Sequence, residues 1–375
     1  MERARLMYAA PARDSDILWA SGFYAPDEFL CIVHEGKTYG VAGDLEYGRM
    51  KKESRMDAVL LMSDLKERYG EDTLKQTGYV TLVLNQLGVR TIAAPSNLSA
   101  KLYLKLITNG IGVEFRDPLF PERKIKREDE LVDIKHAQKS MERAFSNLLG
   151  YIADSQIHEG KLWYDYEWLT SEKLRTLFEV ELMAANCICD ATIIASGNQA
   201  ADPHCLGFGP IFANVPIVCD MFPRSKNRWY WSDMTRTVVK GKLSDEVRKM
   251  YRTVYDAQQY GIEKVAPGVD GVEIHNGIEK RFHDTGFRTE KINGKPQGFI
   301  HSTGHGVGLD IHEPPYIGRT PPGQQILQVG NVVTVEPGLY YHGIGGVRIE
   351  STVVVTESGC EPLDSAISKE LLEIP

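Results

Sequence analysis

Two aspartates flank what reads as a strand, a turn and a returning strand. Asp220 ends the apolar run Pro216-Ile217-Val218-Cys219, and Asp233 precedes Met234-Thr235-Arg236-Thr237-Val238-Val239. A turn around Pro223-Arg224-Ser225-Lys226-Asn227 would bring the two carboxylates together. The alternative is one solvent-facing aspartate and one strand-end aspartate. Further on, His301, His305 and His312 fall in the segment His301-Ser302-Thr303-Gly304-His305-Gly306-Val307-Gly308-Leu309-Asp310-Ile311-His312-Glu313. The glycines beside His305 allow the backbone to come close to a ligand. Glu336, in Val333-Thr334-Val335-Glu336-Pro337-Gly338, and Glu350, in Gly346-Val347-Arg348-Ile349-Glu350, each end a β-branched stretch. A buried carboxylate is costly unless it is paired or binds a metal. Each acid therefore either meets an arginine, such as Arg348 or Arg236, or holds a cation. Two Asp, two Glu and at least one His suit Mn²⁺, Co²⁺, Fe²⁺ or Zn²⁺ in five- or six-coordinate sites rather than a closed structural zinc. Four carboxylates could also bridge two ions about 3.5 Å apart, the usual two-metal hydrolase arrangement.

These residues need a scaffold of mixed strands and helices. Ile134, Ala137, Met141, Phe145, Leu148 and Ile152 form one apolar stripe and predict a helix. A second helix is expected over about 172–185. A third follows Ser244, a good N-cap with Asp245 and Glu246 in its first turn, and a fourth starts near Asp270. Phe29-Leu30-Cys31-Ile32-Val33 reads as a buried strand turning at Glu35-Gly36-Lys37. Val80-Thr81-Leu82-Val83-Leu84 is too short a run for periodicity to decide between strand and helix.

The chain has 375 residues and a net charge of −8, with 42% hydrophobic and 25% charged residues. That length predicts about two domains, and that composition a globular core. The acidic balance argues against nucleic acid as a partner. No apolar run is long enough for a transmembrane helix, and the stretch after Met1-Glu2-Arg3-Ala4-Arg5 is too short for a secretory core. Six cysteines without metal-binding spacing read as buried free thiols, which fits a cytoplasmic setting. Residues 1–125 hold 17 basic and 17 acidic residues, so the whole acidic excess lies beyond them. Arg116-Asp117-Pro118-Leu119-Phe120-Pro121-Glu122-Arg123 reads as a linker or extended crossover at that boundary.

The order Asp…Asp-x-Thr-Arg…Gly-His-Gly-x-Gly…His-Glu-x-Pro…Glu-Pro-Gly…Arg-Ile-Glu resembles the metal-dependent "pita-bread" peptidases. These include methionine aminopeptidase, proline dipeptidase (prolidase) and aminopeptidase P, with creatine amidinohydrolase as a metal-free relative. The resemblance covers about residues 130–365. It implies an α/β (α+β) protein with a smaller N-terminal creatinase/prolidase-like domain over residues 1–120 and a pita-bread catalytic domain over 125–375. It implies that Asp220, Asp233, His305, Glu336 and Glu350 hold two divalent ions, with manganese expected first. Glu336 would also act as the base, and His301 and His312 would bond the scissile carbonyl and the developing oxyanion. His204, in Ala200-Ala201-Asp202-Pro203-His204, resembles the family's substrate-pocket histidine. Arg348 resembles the arginine of the proline-specific branch, on the substrate side. The implied substrate is a small peptide with proline in second position, and the implied assembly a homodimer.

One departure stands out. The family usually has Asp-x-Gly at the first ligand, but here Asp220 is followed by Met221-Phe222. The spacing to Asp233 is two residues longer than usual. An even insertion keeps both carboxylates on one strand face. The longer hairpin carries Arg224, Lys226 and Arg228 and could overhang the cleft, altering substrate reach. Methionine-aminopeptidase-like or creatinase-like C–N hydrolysis remains an alternative, as does an inactive peptide-binding module. The complete ligand set argues against the last of these.

Overall fold

The computed structural model describes residues 3–71 and 78–375. Met1 and Glu2, which open the N-terminal stretch considered above, and residues 72–77 lie outside it. The chain divides into two units, Met1–Arg123 and Lys124–Pro375.

The first unit is built on a six-stranded sheet. Its order is Ala58–Leu61, Lys37–Ala42, Phe29–His34, Ala4–Ala9, Thr91–Ala94, Gly112–Phe115. The Phe29–His34 strand pairs antiparallel with both neighbours, and the outer pairs are parallel. Alternate residues face opposite ways. Leu6, Leu30 and Ile32 pack under the helices Gly78–Gln86 and Ala100–Thr108, while Met7, Phe29 and Cys31 pack with Ile17, Phe23 and Met50 on the other side. Burial on both faces explains the unbroken apolar run Phe29–Val33. The segment around Val80–Leu84 is helical, because Val80, Val83 and Leu84 together bury one face.

The second unit repeats one layout twice, a pair of helices packed on a sheet. Glu128–Asp154 and Ser171–Ala184 cover a four-stranded sheet ordered Ile193–Ser196, Ile217–Met221, Met234–Lys240, Leu372–Ile374. Asp245–Lys264 and Gly271–Asp284 cover a five-stranded sheet ordered Glu313–Ile317, Gly304–Gly306, Val332–Val335, Ser351–Thr356, Gly359–Pro362. The helix starts follow local chemistry. Ser244 Oγ accepts from Val247 N at 3.3 Å, and Asp270 Oδ1 accepts from Val272 N at 3.4 Å. The predicted stripe of the long helix, from Ile134 to Ile152, is buried throughout. No helix among the described residues is long and apolar enough to cross a membrane. The cysteine expectation needs one correction. All six are free, but only Cys31, Cys187, Cys189 and Cys219 are buried, while Cys205 and Cys360 keep partial exposure.

Candidate active site

The two helix-covered sheets of the second unit meet at a cavity of about 720 Å³. All nine residues singled out above line it: His204, Asp220, Asp233, His301, His305, His312, Glu336, Arg348 and Glu350.

Strand register brings the aspartates together. Asp220 lies directly opposite Thr235 across the antiparallel pair, and Asp233 is two residues before Thr235 on the same face. From the other sheet, His305 sits mid-strand, its N–H bonded to Thr334 Oγ1 at 3.0 Å. Glu336 follows the Val332–Val335 strand, its N–H bonded to Thr303 O at 2.7 Å. Glu350 is fastened across the junction: its N–H bonds Thr235 O at 3.1 Å, and its carbonyl accepts from Arg236 Nη1 at 2.6 Å. His305 Nε2 lies 3.3 Å from Glu336 Oε1 and 3.8 Å from Asp233 Oδ2. A side chain at Gly306 would overlap the carbonyls of Glu313 and Pro314, so only glycine allows the tight pairing that carries His305.

The electrostatics are those of crowded like charges. Burial, then the charges of Glu350, Asp220 and Glu336, hold the Asp233 carboxyl well above the usual carboxylate range. Burial and the neighbouring Glu350 do the same to Glu336. Glu350 is pushed up to about 8 by burial and by Asp220. Burial also pushes His305 down to about 3, which leaves a neutral imidazole able to donate a lone pair.

Asp233 Oδ1 is buried with no hydrogen-bond partner. Buried polar atoms ordinarily have one. One donor atom each from Asp233, His305 and Glu350 lie within 4.8 Å of one another. An orphaned oxygen, repelling carboxylates and a neutral imidazole fit a divalent cation.

A hydrogen-bonded chain runs behind the carboxylates. Arg348 gives Nη2 to Asp220 Oδ2 at 2.5 Å, Nε to Thr235 Oγ1 at 3.0 Å and Nη1 to the Tyr340 hydroxyl at 2.8 Å. That hydroxyl lies 2.9 Å from His301 Nε2, and His301 Nδ1 lies 2.7 Å from Ser302 O. A carbonyl only accepts, so Nδ1 carries the proton and Nε2 receives the tyrosine hydrogen. Both ring nitrogens of His301 are thus engaged, whereas His312 packs edge-on at 4.3 Å between ring centroids against His305. Arg348 is 3% exposed and turned to the protein's own groups.

The Asp220–Asp233 hairpin does not overhang the cleft as the sequence suggested it could. It lies along the long helix: Ser225 Oγ donates to Asp133 Oδ1 at 2.8 Å, and the Tyr230 hydroxyl to Glu130 Oε1 at 2.6 Å. Arg228 pairs with Asp129, and the Arg224 guanidinium lies over the rings of Trp229 and Trp231. Of the hairpin's interior only Phe222 lines the cavity.

Thr235, Tyr340 and Thr334 belong to the site and were not singled out from sequence. Thr235 lies two residues from Asp233 in a strand, a spacing that could have flagged it. Tyr340 reaches His301 only through the tertiary fold, and no local signal marks it.

The model of metallopeptidase family M24 matches residues 132–357. The chain is 31% identical over 332 residues to a protein of Pyrococcus furiosus named Xaa-Pro dipeptidase, covering 88% of this chain and 84% of that one. It is 33% identical to an uncharacterized peptidase of Bacillus subtilis, YqhT, over 63% of this chain and 61% of that one. The fold matches the crystal structure of X-Pro aminopeptidase from Thermotoga maritima with a TM-score of 0.80 and 26% identity, covering 99% of this chain and 97% of that one. With its helix-covered paired sheets and its converging acids, the chain belongs to metallopeptidase family M24 and has the pita-bread fold with a smaller N-terminal α/β domain.

Proposed function

We propose that this protein hydrolyses the bond between a first residue and a following proline, as a dinuclear metallo-exopeptidase with manganese as its working ion. The observation that carries the reading is the convergence of Asp220, Asp233, His305, Glu336 and Glu350 on one cavity, with Asp233 Oδ1 buried and unpartnered. The names of the Pyrococcus and Thermotoga relatives support proline as the second residue.

The five residues would hold two divalent ions, which when bound lower the pKa of water and polarise the scissile carbonyl. Glu336, whose carboxyl burial already makes more basic, takes the proton from the attacking water. It returns that proton to the leaving nitrogen of proline, which has no hydrogen of its own in the peptide. His312 lines the cavity beside His305 and donates to the developing oxyanion. His301, its nitrogens held by Tyr340 and Ser302, shapes the same wall without donating. His204 faces the proline side, and Arg348 holds Asp220 in place.

The experiment is a peptide panel with manganese: Ala-Pro, Ala-Pro-Ala, Met-Ala-Ser and creatine. Turnover of proline peptides alone supports the reading. Turnover of only Met-Ala-Ser or only creatine overturns it, as does a protein that takes up no metal after soaking in Mn²⁺ or Co²⁺. Glu336→Ala should abolish hydrolysis. The family resemblance is also the ground for a cytoplasmic homodimer as the working form, which light scattering of the purified protein tests.

A further inference from the structure

Among the residues lining the cavity, Arg348 is the one lysine or arginine. Its three nitrogens are taken by Asp220, Thr235 and Tyr340. The lining therefore presents no available side-chain cation of that kind to a carboxylate. It presents the opposite charge. Besides the four acids of the donor set, the lining contains Asp202, two residues before His204. Asp202 Oδ1 accepts from His204 N at 3.2 Å, which ties the carboxylate to the histidine assigned above to the proline side. Asp202 forms no ion pair among the described residues.

The loop that carries both residues is pinned. Gln199 Nε2 donates to Phe208 O at 2.9 Å, and its Oε1 accepts from Phe208 N at 2.8 Å. Arg175 Nη1 donates to the carbonyls of Leu206 and Gly207 at 2.5 and 2.9 Å, and Ile194 N–H donates to Leu206 O at 3.0 Å. A fixed anion on the proline side meets different chemistry in two substrate classes. In an Xaa-Pro dipeptide, proline carries the free C-terminal carboxylate, so like charges face each other. In a longer peptide that group is a neutral amide, and a basic third residue adds attraction.

We propose that Asp202 is a specificity-determining residue that selects peptides continuing beyond proline over Xaa-Pro dipeptides. This inference rests on the Xaa-Pro reading above. Two unit charges about 4 Å apart interact by only about 1 kcal/mol in bulk water, and more where the dielectric is lower. Asp202 is exposed, so the high dielectric of water applies and discrimination of up to about fivefold follows.

The test uses the full manganese-loaded chain at about pH 8, where histidines in water are neutral. It compares kcat/KM for Ala-Pro, its amide Ala-Pro-NH2 and Ala-Pro-Lys-NH2. The wild-type protein should favour the amide over Ala-Pro by up to about fivefold, by less at high salt, with Ala-Pro-Lys-NH2 at least as good. Asp202→Asn keeps the acceptor for His204 N and should close most of the gap through a lower KM for Ala-Pro. Asp202→Lys should reverse the preference. A wild-type protein that favours Ala-Pro, or an Asp202→Asn protein with an unchanged ratio, overturns this inference alone. Absence of turnover on every proline peptide overturns the Xaa-Pro reading and this inference with it.

Discussion

Lys126 Nζ lies 2.7 Å from Glu313 Oε1, and both side chains are almost fully buried. Glu313 follows His312 directly. Its other oxygen accepts from Asp310 N at 3.4 Å, and its carboxylate occupies the space that a side chain at Gly308 would fill. The pair thus closes the loop between His305 and His312. Replacing Lys126 with Met removes a buried positive charge from beside that carboxylate and should cost about 3–5 kcal/mol. The double replacement Lys126→Met with Glu313→Leu should cost less, because no charge is left behind. Urea unfolding of the three proteins measures this. Equal losses in the single and double variants would assign the effect to packing instead.

Thr235 holds the metal-side carboxylates in register. Its hydroxyl lies 2.9 Å from Asp220 Oδ1 and 2.6 Å from Glu350 Oε2 and accepts from Arg348 Nε. Thr235→Val keeps the shape and removes the hydroxyl. Loss of a group that orients a ligand typically weakens metal binding about 10–100-fold. Calorimetric titration with Mn²⁺ is the readout, and an unchanged affinity would remove Thr235 from the site.

The crowded acids predict how metal-free stability varies with pH. Glu350 has its carboxyl raised from 4.5 to about 8. Between those values the folded state holds a proton that the unfolded state has released. Stability therefore falls as pH rises across that window. The melting temperature of EDTA-stripped protein should drop between about pH 7 and 8, above the range in which unfolded histidines still bind protons, and saturating Mn²⁺ should flatten the slope by replacing the proton. A stripped protein whose melting temperature rises over that range would contradict the assignment.

The hairpin offers a control away from the chemistry. Tyr230→Phe removes the hydroxyl that donates to buried Glu130. It should destabilise the protein by about 1–3 kcal/mol. The KM for Ala-Pro-Ala should stay as in the wild type, because Tyr230 does not line the cavity. A large rise in KM would put the hairpin back at the cleft.

Much of the site was legible in the residues themselves. A carboxylate ending a β-branched run must be paired or bound, and a histidine between glycines marks close backbone approach, so Asp220, Asp233, His305, Glu336 and Glu350 stood out as candidates, and the family resemblance joined them into one set. The even, two-residue insertion between Asp220 and Asp233 also implied a shared strand face, and the register agrees, with Asp220 opposite Thr235. Helix stripes and N-caps were equally local signals. Four matters needed the tertiary structure. Whether Val80–Leu84 was strand or helix depended on which face the sheet buries. Where the hairpin points depended on Glu130 and Asp133, about a hundred residues upstream. Arg348 could be read as a substrate group or an ion-pair partner, and its contacts with Asp220 and Thr235 exist only because the hairpin that carries it packs against their sheet. The engagement of His301 by Tyr340 has the same origin. Sequence carries local periodicity and residue chemistry. Which distant polar group a buried side chain satisfies is decided when the sheets pack, because only then does desolvation force each one to find a partner.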